Sequence, residues 1–124
     1  MSRIIRLAAL PALIAIFAAL PASGATAATS CKQQIKGKER KLGTTYVTKV
    51  NVTGVGCTTG FSVVKAFHKC RHENGKAGTC KHKVLGYTCT EKRPASLKGP
   101  ISYDGDMTCR RGSKRVTSHY QQNT

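Results

Sequence analysis

The chain has 124 residues, with 21 lysines and arginines against five acidic residues and a formal net charge of +16. That length excludes two independent domains once a leader is subtracted. The charge excludes a neutral surface, so the folded chain must tolerate its own repulsion and should attract polyanions or anionic membranes.

At the amino end, Arg3 and Arg6 precede an apolar run from Leu7 to Leu20, and small residues continue through Ala28. This order reads as a secretory signal peptide over residues 1–27. The apolar run is about two thirds of the ~20 residues that a bilayer-spanning helix needs, and Pro11 lies inside it. Ala25-Thr26-Ala27 fits the small-x-small cleavage rule, which starts the mature chain at Ala28; cleavage after Gly24 is the second option. A lipid anchor on Cys31 fits poorly, because it would leave an odd number of cysteines. The leader holds two of the 21 basic residues and no acidic one, so the mature 97 residues carry 19 basic against five acidic groups, or +14.

Residues 28–43 read as a basic amino-terminal arm, irregular and pinned at Cys31, with Lys32, Lys36, Lys38, Arg40 and Lys41. A short exposed helix from Lys32 to Lys41 is the alternative. Thr44 to Thr53 is rich in β-branched residues and alternates, which predicts a first strand with Tyr46, Thr48, Val50 and Val52 on one face. Asn51-Val52-Thr53 is a glycosylation sequon within that strand. Gly54-Val55-Gly56 breaks it, and Thr58 or Thr59 is placed to cap the next element.

Cys57 to Cys70 is predicted to be the central helix. Phe61, Val64 and Phe67, with Gly60 and Cys57, give it an apolar side, while Lys65, Lys69 and His72 line a basic one. The helix should stop between His72 and Asn74, before a basic loop over residues 71–83 that carries Arg71, Lys76, Lys81 and Lys83. Val84 to Glu91 predicts a second strand with Leu85, Tyr87 and Cys89 on one face, and residues 92–102 predict a loop. Tyr103 to Arg110 alternates again. Gly112 at the first central position of Arg111-Gly112-Ser113-Lys114 suits a type II′ turn, which sets Cys109 opposite Val116 and Met107 opposite Ser118. The last strand runs from Lys114 to Tyr120, with Gln121 to Thr124 frayed. The class is therefore α+β: one helix packed on a small antiparallel sheet in the order β-α-β-β-β, over residues 44–124.

Cys31, Cys57, Cys70, Cys80, Cys89 and Cys109 all fall in the mature chain, and an even set in an exported protein is a disulfide framework. Cys70 with Cys80 is the preferred pair, since they bracket a glycine-containing loop. Cys57 is expected to pair with Cys109 or Cys89, leaving the other for Cys31. Cys70-Arg71-His72 and Cys80-Lys81-His82 also repeat a Cys-x-His unit that could supply two sulfurs and two imidazoles to zinc. Export favours oxidation and the surrounding lysines disfavour a cation, so neither a metal nor another cofactor is expected.

Val55-Gly56-Cys57 opening a helix with Val63-Val64, then Gly86-Tyr87-Thr88-Cys89, then Met107-Thr108-Cys109-Arg110-Arg111-Gly112 and Val116 to Tyr120, resembles a set of small exported proteins common in actinobacteria. The resemblance covers about residues 44–120. It implies an exported, disulfide-bonded single domain and transfers no activity and no functional residue.

The leading functional expectation is a secreted, monomeric, non-catalytic protein, extracellular or wall-associated, that binds anionic polymers of the cell envelope or exterior. Its contacts would come from Lys65, Lys69, Arg71, Lys76, Lys81, Lys83, Arg110, Arg111, Lys114 and Arg115. Nucleic acid is expected only as a non-specific partner, because the chain has no tryptophan and few aromatics to stack bases. The alternatives are a nuclease-like enzyme using His68, His72 and His119 with Lys69, and a cationic antimicrobial or toxin-like protein, for which the helix offers no spare apolar face.

Overall fold

Alternation of β-branched residues builds most of this molecule, and two glycines permit its closest approaches, one between helix and sheet and one between neighbouring strands. In a computed structural model, residues 24, 26–32, 45–93 and 102–123 are described. The apolar run of the leader, the arm beyond Lys32 and the loop around Pro94, Gly99 and Pro100 lie outside them. The elements are β1 (Thr29–Ser30), β2 (Thr45–Thr53), α1 (Cys57–His72), β3 (Thr88–Lys92), β4 (Tyr103–Arg111) and β5 (Lys114–Gln122). All neighbouring strands are antiparallel, in the order β1-β2-β5-β4-β3. The helix packs on β2 and β5. This is the expected α+β class, with one more strand because Thr29–Ser30 of the arm pairs with Val52 and Asn51.

On α1, Gly60, Val63, Val64, Phe67, His68, Cys70 and Arg71 are buried. Lys69, Arg71 and His72 in its last turn complement the carboxyl end of the helix dipole. The expected threonine cap is absent: Gly56 occupies the N-cap without a side-chain bond, and Thr58 and Thr59 fall in the first turn. Gly60 is where helix and sheet meet, since a β-carbon there would lie 2.3 Å from Val52 Cγ1.

The β4–β5 hairpin follows its sequence closely. Gly112 takes φ +58°, and Cys109 faces Val116 as Met107 faces Ser118. Three expectations change. In β2 the inward residues are Thr45, Val47, Val50 and Val52, whereas Tyr46 and Thr48 point outward. A bulge between Val47 and Lys49 inserts one residue and moves the period-two pattern to its other phase. The second predicted strand starts late because Leu85 (φ 49°) and Gly86 (φ 78°) form a tight turn, closed by reciprocal bonds between Val84 and Tyr87. Leu85 is thereby turned out, 58% exposed. At the carboxyl end, β5 continues through Gln122, which is fully buried.

The disulfides are Cys31–Cys57, Cys70–Cys80 and Cys89–Cys109. The loop-closing pair is as expected, and the other two correct the preferred partners of Cys57. Cys89 and Cys109 are directly opposed on β3 and β4, so each is the other's nearest sulfur. Cys57, opening the helix, meets the arm instead. Each closed loop is worth about 3 kcal/mol by chain entropy, and the set fits an oxidising environment.

Gly105 faces the ring of Tyr120, and a β-carbon there would stand 2.5 Å from its phenol oxygen. Because Tyr120 is fully buried, Gly105→Ala should destabilise the fold by about 1–3 kcal/mol. Urea denaturation measures this; an unchanged midpoint would mean that the ring moves freely.

Candidate functional site

Two polar regions are built on this frame, one inside and one outside. The inner one centres on Arg71, which has no exposed surface. It lies three residues after His68 and four after Phe67, so the helix period turns it to the core. A guanidinium carries five N–H groups, and each has an acceptor. Nε donates to His68 Nδ1 at 3.0 Å. One terminal nitrogen donates to the Lys76 carbonyl at 2.9 Å and to the Tyr103 hydroxyl at 3.3 Å. The other donates to Thr45 Oγ1 at 2.8 Å and to Gln122 Oε1.

Thr45 passes its own hydroxyl hydrogen to Gln122 Oε1 at 2.6 Å. His72 Nε2, 3.0 Å from Thr45 Oγ1, must therefore carry a hydrogen. Glu91 supplies the balancing charge: it lies 3.8 Å from Arg71, pairs with Arg93 at 2.7 Å and accepts from the Tyr120 hydroxyl. Burial, then the bond to Glu91, holds the Tyr120 hydroxyl well above its ordinary value. Burial also lowers Arg71, opposed by Tyr120, Tyr103 and Glu91. Arg71 is thus part of the core and not of a polyanion surface, which corrects its assignment to the basic loop. His72 is likewise half-buried in this network rather than aligned with Lys65 and Lys69.

The outer region is the face of the sheet opposite the helix, which nothing among the described residues covers. Cross-strand register arranges it in rows. Lys49, His119, Asp106 and Lys92 form one; Asn51, Thr117, Thr108 and Thr90 the next; Thr53, Arg115, Arg110 and Thr88 the third. Asp106 bonds His119 Nδ1 at 2.8 Å. Two shallow cavities, of about 240 and 170 Å³, lie over these rows and share Asn51 and Thr117.

The structure leaves the other expected polymer contacts exposed but on different sides. Lys65 and Lys69 project from the helix. Lys76 comes just after it, and Lys81 and Lys83 flank His82 beside the Cys70–Cys80 disulfide. Arg110 and Arg115 are directly opposed on the open sheet face, and Arg111 and Lys114 are the next pair at the hairpin tip. Lys49 and Lys92 belong to the open face too, and the alternation of their strands was the signal that could have placed them there.

Three of the four zinc candidates, Cys70, Cys80 and His82, lie within 4.8 Å of one another, whereas the catalytic set is not assembled. The sulfurs of Cys70 and Cys80 are bonded to each other, with His82 Nε2 3.2 Å from Cys70 Sγ, while His72 turns to Thr45. His68 is buried on the helix side and His119 lies on the opposite face. No family model, curated protein or solved structure matches the chain.

His68 accepts from Arg71 on Nδ1, and its Nε2 is buried without a hydrogen-bond partner. Burial first, then the charge of Arg71, lowers its pKa from 6.5 to about 2. The unfolded chain therefore binds a proton that the folded chain refuses between these values. This contribution to stability is complete above pH 6.5 and is lost as pH falls towards 2, by up to about 1.4 kcal/mol per pH unit. Denaturation midpoints measured from pH 7 to pH 4 should fall, and His68→Asn, which keeps an acceptor for Arg71, should flatten the slope. An equally steep decline in that variant would assign the acid sensitivity to other groups.

Proposed function

We propose that this protein is a secreted basic binder of anionic polymers of the cell envelope or exterior, with no chemistry of its own. The supporting observation is where the carboxylates are spent. Glu91 pairs with Arg71 and Arg93, Asp106 lies against His119 and Glu73 against His82, while Asp104, exposed on β4, makes no ion pair among the described residues. Among the described residues, no ion pair involves Lys65, Lys69, Lys76, Lys81, Lys83, Arg110, Arg111, Lys114 or Arg115. Nine surface cations without counter-charges form a field that a polyanion can neutralise with release of its own counterions.

The leader and the three disulfides support export. Among the described residues no helix is long and apolar enough to cross a membrane. A membrane-active reading loses support because Val63, Val64 and Phe67, the apolar face of α1, are already buried. A nuclease would need two imidazoles across one phosphate, and His119 is separated from His68 and His72 by the sheet.

Co-sedimentation of the oxidised protein with cell walls, with and without their anionic polymers, across a sodium chloride series tests the reading. Binding should require the polymer, with log K falling against log salt by about 0.7 to 0.9 per phosphate neutralised. Reversing Arg110, Arg111, Lys114 and Arg115 to Glu should abolish most of it without unfolding the domain. Full affinity in that folded variant would eliminate the hairpin as the contact, and absence of wild-type binding at low salt would eliminate the function.

A further inference from the structure

Resting on that reading, we infer that the polymer lies along the open sheet face and is a hydroxyl-bearing phosphodiester, a polyol phosphate, rather than a nucleic acid. The first observation is the Arg110–Arg115 pair. Arg110 and Arg115 are directly opposed residues of β4 and β5, where like charges are destabilising, and no carboxylate among the described residues pairs with either. Two guanidiniums carried by opposed residues are suited to a phosphate that accepts from both. Binding would convert an unfavourable contact into a favourable one.

The second observation is the succession of side chains along the strands. Two residues on from Arg115, about 7 Å, lie Thr117 and its cross-strand partner Asn51, common to both cavities. They offer uncharged donors and acceptors, the complement of hydroxyl groups. A further two residues on lie Lys49 and His119, again paired across β2 and β5. Across β5 and β2 the track therefore runs from the Arg115 cation, through the Thr117 hydroxyl and the Asn51 amide, to the Lys49 cation, with the two charged rows about 13 Å apart. Asp106 is the acid nearest this track, and its bond to His119 Nδ1 keeps it on the β4 side. A polymer alternating phosphates with hydroxylated carbons matches that order. A nucleic acid matches the charges but finds no stacking platform: among the described residues the one exposed aromatic of this face, Tyr46, lies beyond the Lys49 row at 36% exposure.

Fluorescence anisotropy with two labelled probes, a glycerol-phosphate oligomer and a single-stranded oligonucleotide with the same number of phosphates, tests the inference on the oxidised full-length mature chain. The wild type should prefer the glycerol-phosphate probe. R110S/R115S should weaken its binding by about tenfold or more, as expected for charge-assisted contacts, while K65S/K69S on the helix should change it less than about threefold. N51S and T117V, each checked for folding by circular dichroism, should lower the preference over the oligonucleotide and leave the salt slope unchanged. If K65S/K69S matches or exceeds R110S/R115S in a wild type that binds, the open face is not the site, although the binder reading survives. Equal or tighter oligonucleotide binding overturns the ligand chemistry. Failure of the wild type to bind either probe at low salt removes the inference and the binder reading together.

Discussion

Arg71 spends all five of its donors inside the protein, and its acceptors come from α1, the loop after it, β2, β4 and β5, so a single buried cation ties the helix to the sheet. Burying a guanidinium costs several kcal/mol unless charge and hydrogen bonds replace the lost water. Here Glu91 supplies the charge from β3 and the acceptors supply the bonds. A network this complete fixes relative positions, because displacing any one element strands a donor in a dry interior. The helix end and four strands are thus held in one arrangement, and Cys70–Cys80 closes the segment beside it.

That arrangement bears directly on the surface. The chain has only five acidic residues, and the core takes Glu91. Asp106 and Glu73 are opposite histidines, and the exposed Asp104 pairs with none of the described lysines or arginines. The exposed lysines and arginines are left to solvent, so the acid that stabilises the inside is one that cannot neutralise the outside. In a chain cross-linked at three points, the resulting repulsion is tolerable because the disulfides restrict the expanded states that would relieve it.

Much of the fold was legible in the sequence wherever one local rule acted alone. The β4–β5 register came from a glycine at a two-residue turn and from alternation on both sides. Where two rules competed, the sequence misled. In β2 the spacing of three between Val47 and Val50 was the sign of a bulge, but Tyr46 and Thr48 fitted an unbroken alternation better. Leu85 read as strand by composition, yet it occupies a left-handed turn position that a β-carbon disfavours. Arg71 reads as a surface residue by its charge, although its spacing from Phe67 and His68 places it on the apolar side of the same helix. The pairings of Cys31 and Cys57 depended on the approach of segments distant in sequence, which no local pattern encodes. The cations of the outer site were individually visible; that Arg110 and Arg115 face each other emerges only once the hairpin register is fixed.

The two sides of the sheet also differ in what binding would cost. Arg115 adjoins fully buried Val116, and Arg110 adjoins Cys109, so their backbones are fixed by the core before any ligand arrives. Lys76, Lys81 and Lys83 extend from a loop and must surrender backbone as well as side-chain freedom to make the same contact. Equal charges are therefore not equal contributors, and a polyanion of the kind proposed would gain more per contact from the strand pair than from the loop. The positive field can draw a polyanion from every side, but the rigid rows opposite the helix are where its position can be specified, and they are rigid because Arg71 and the disulfides hold the other face.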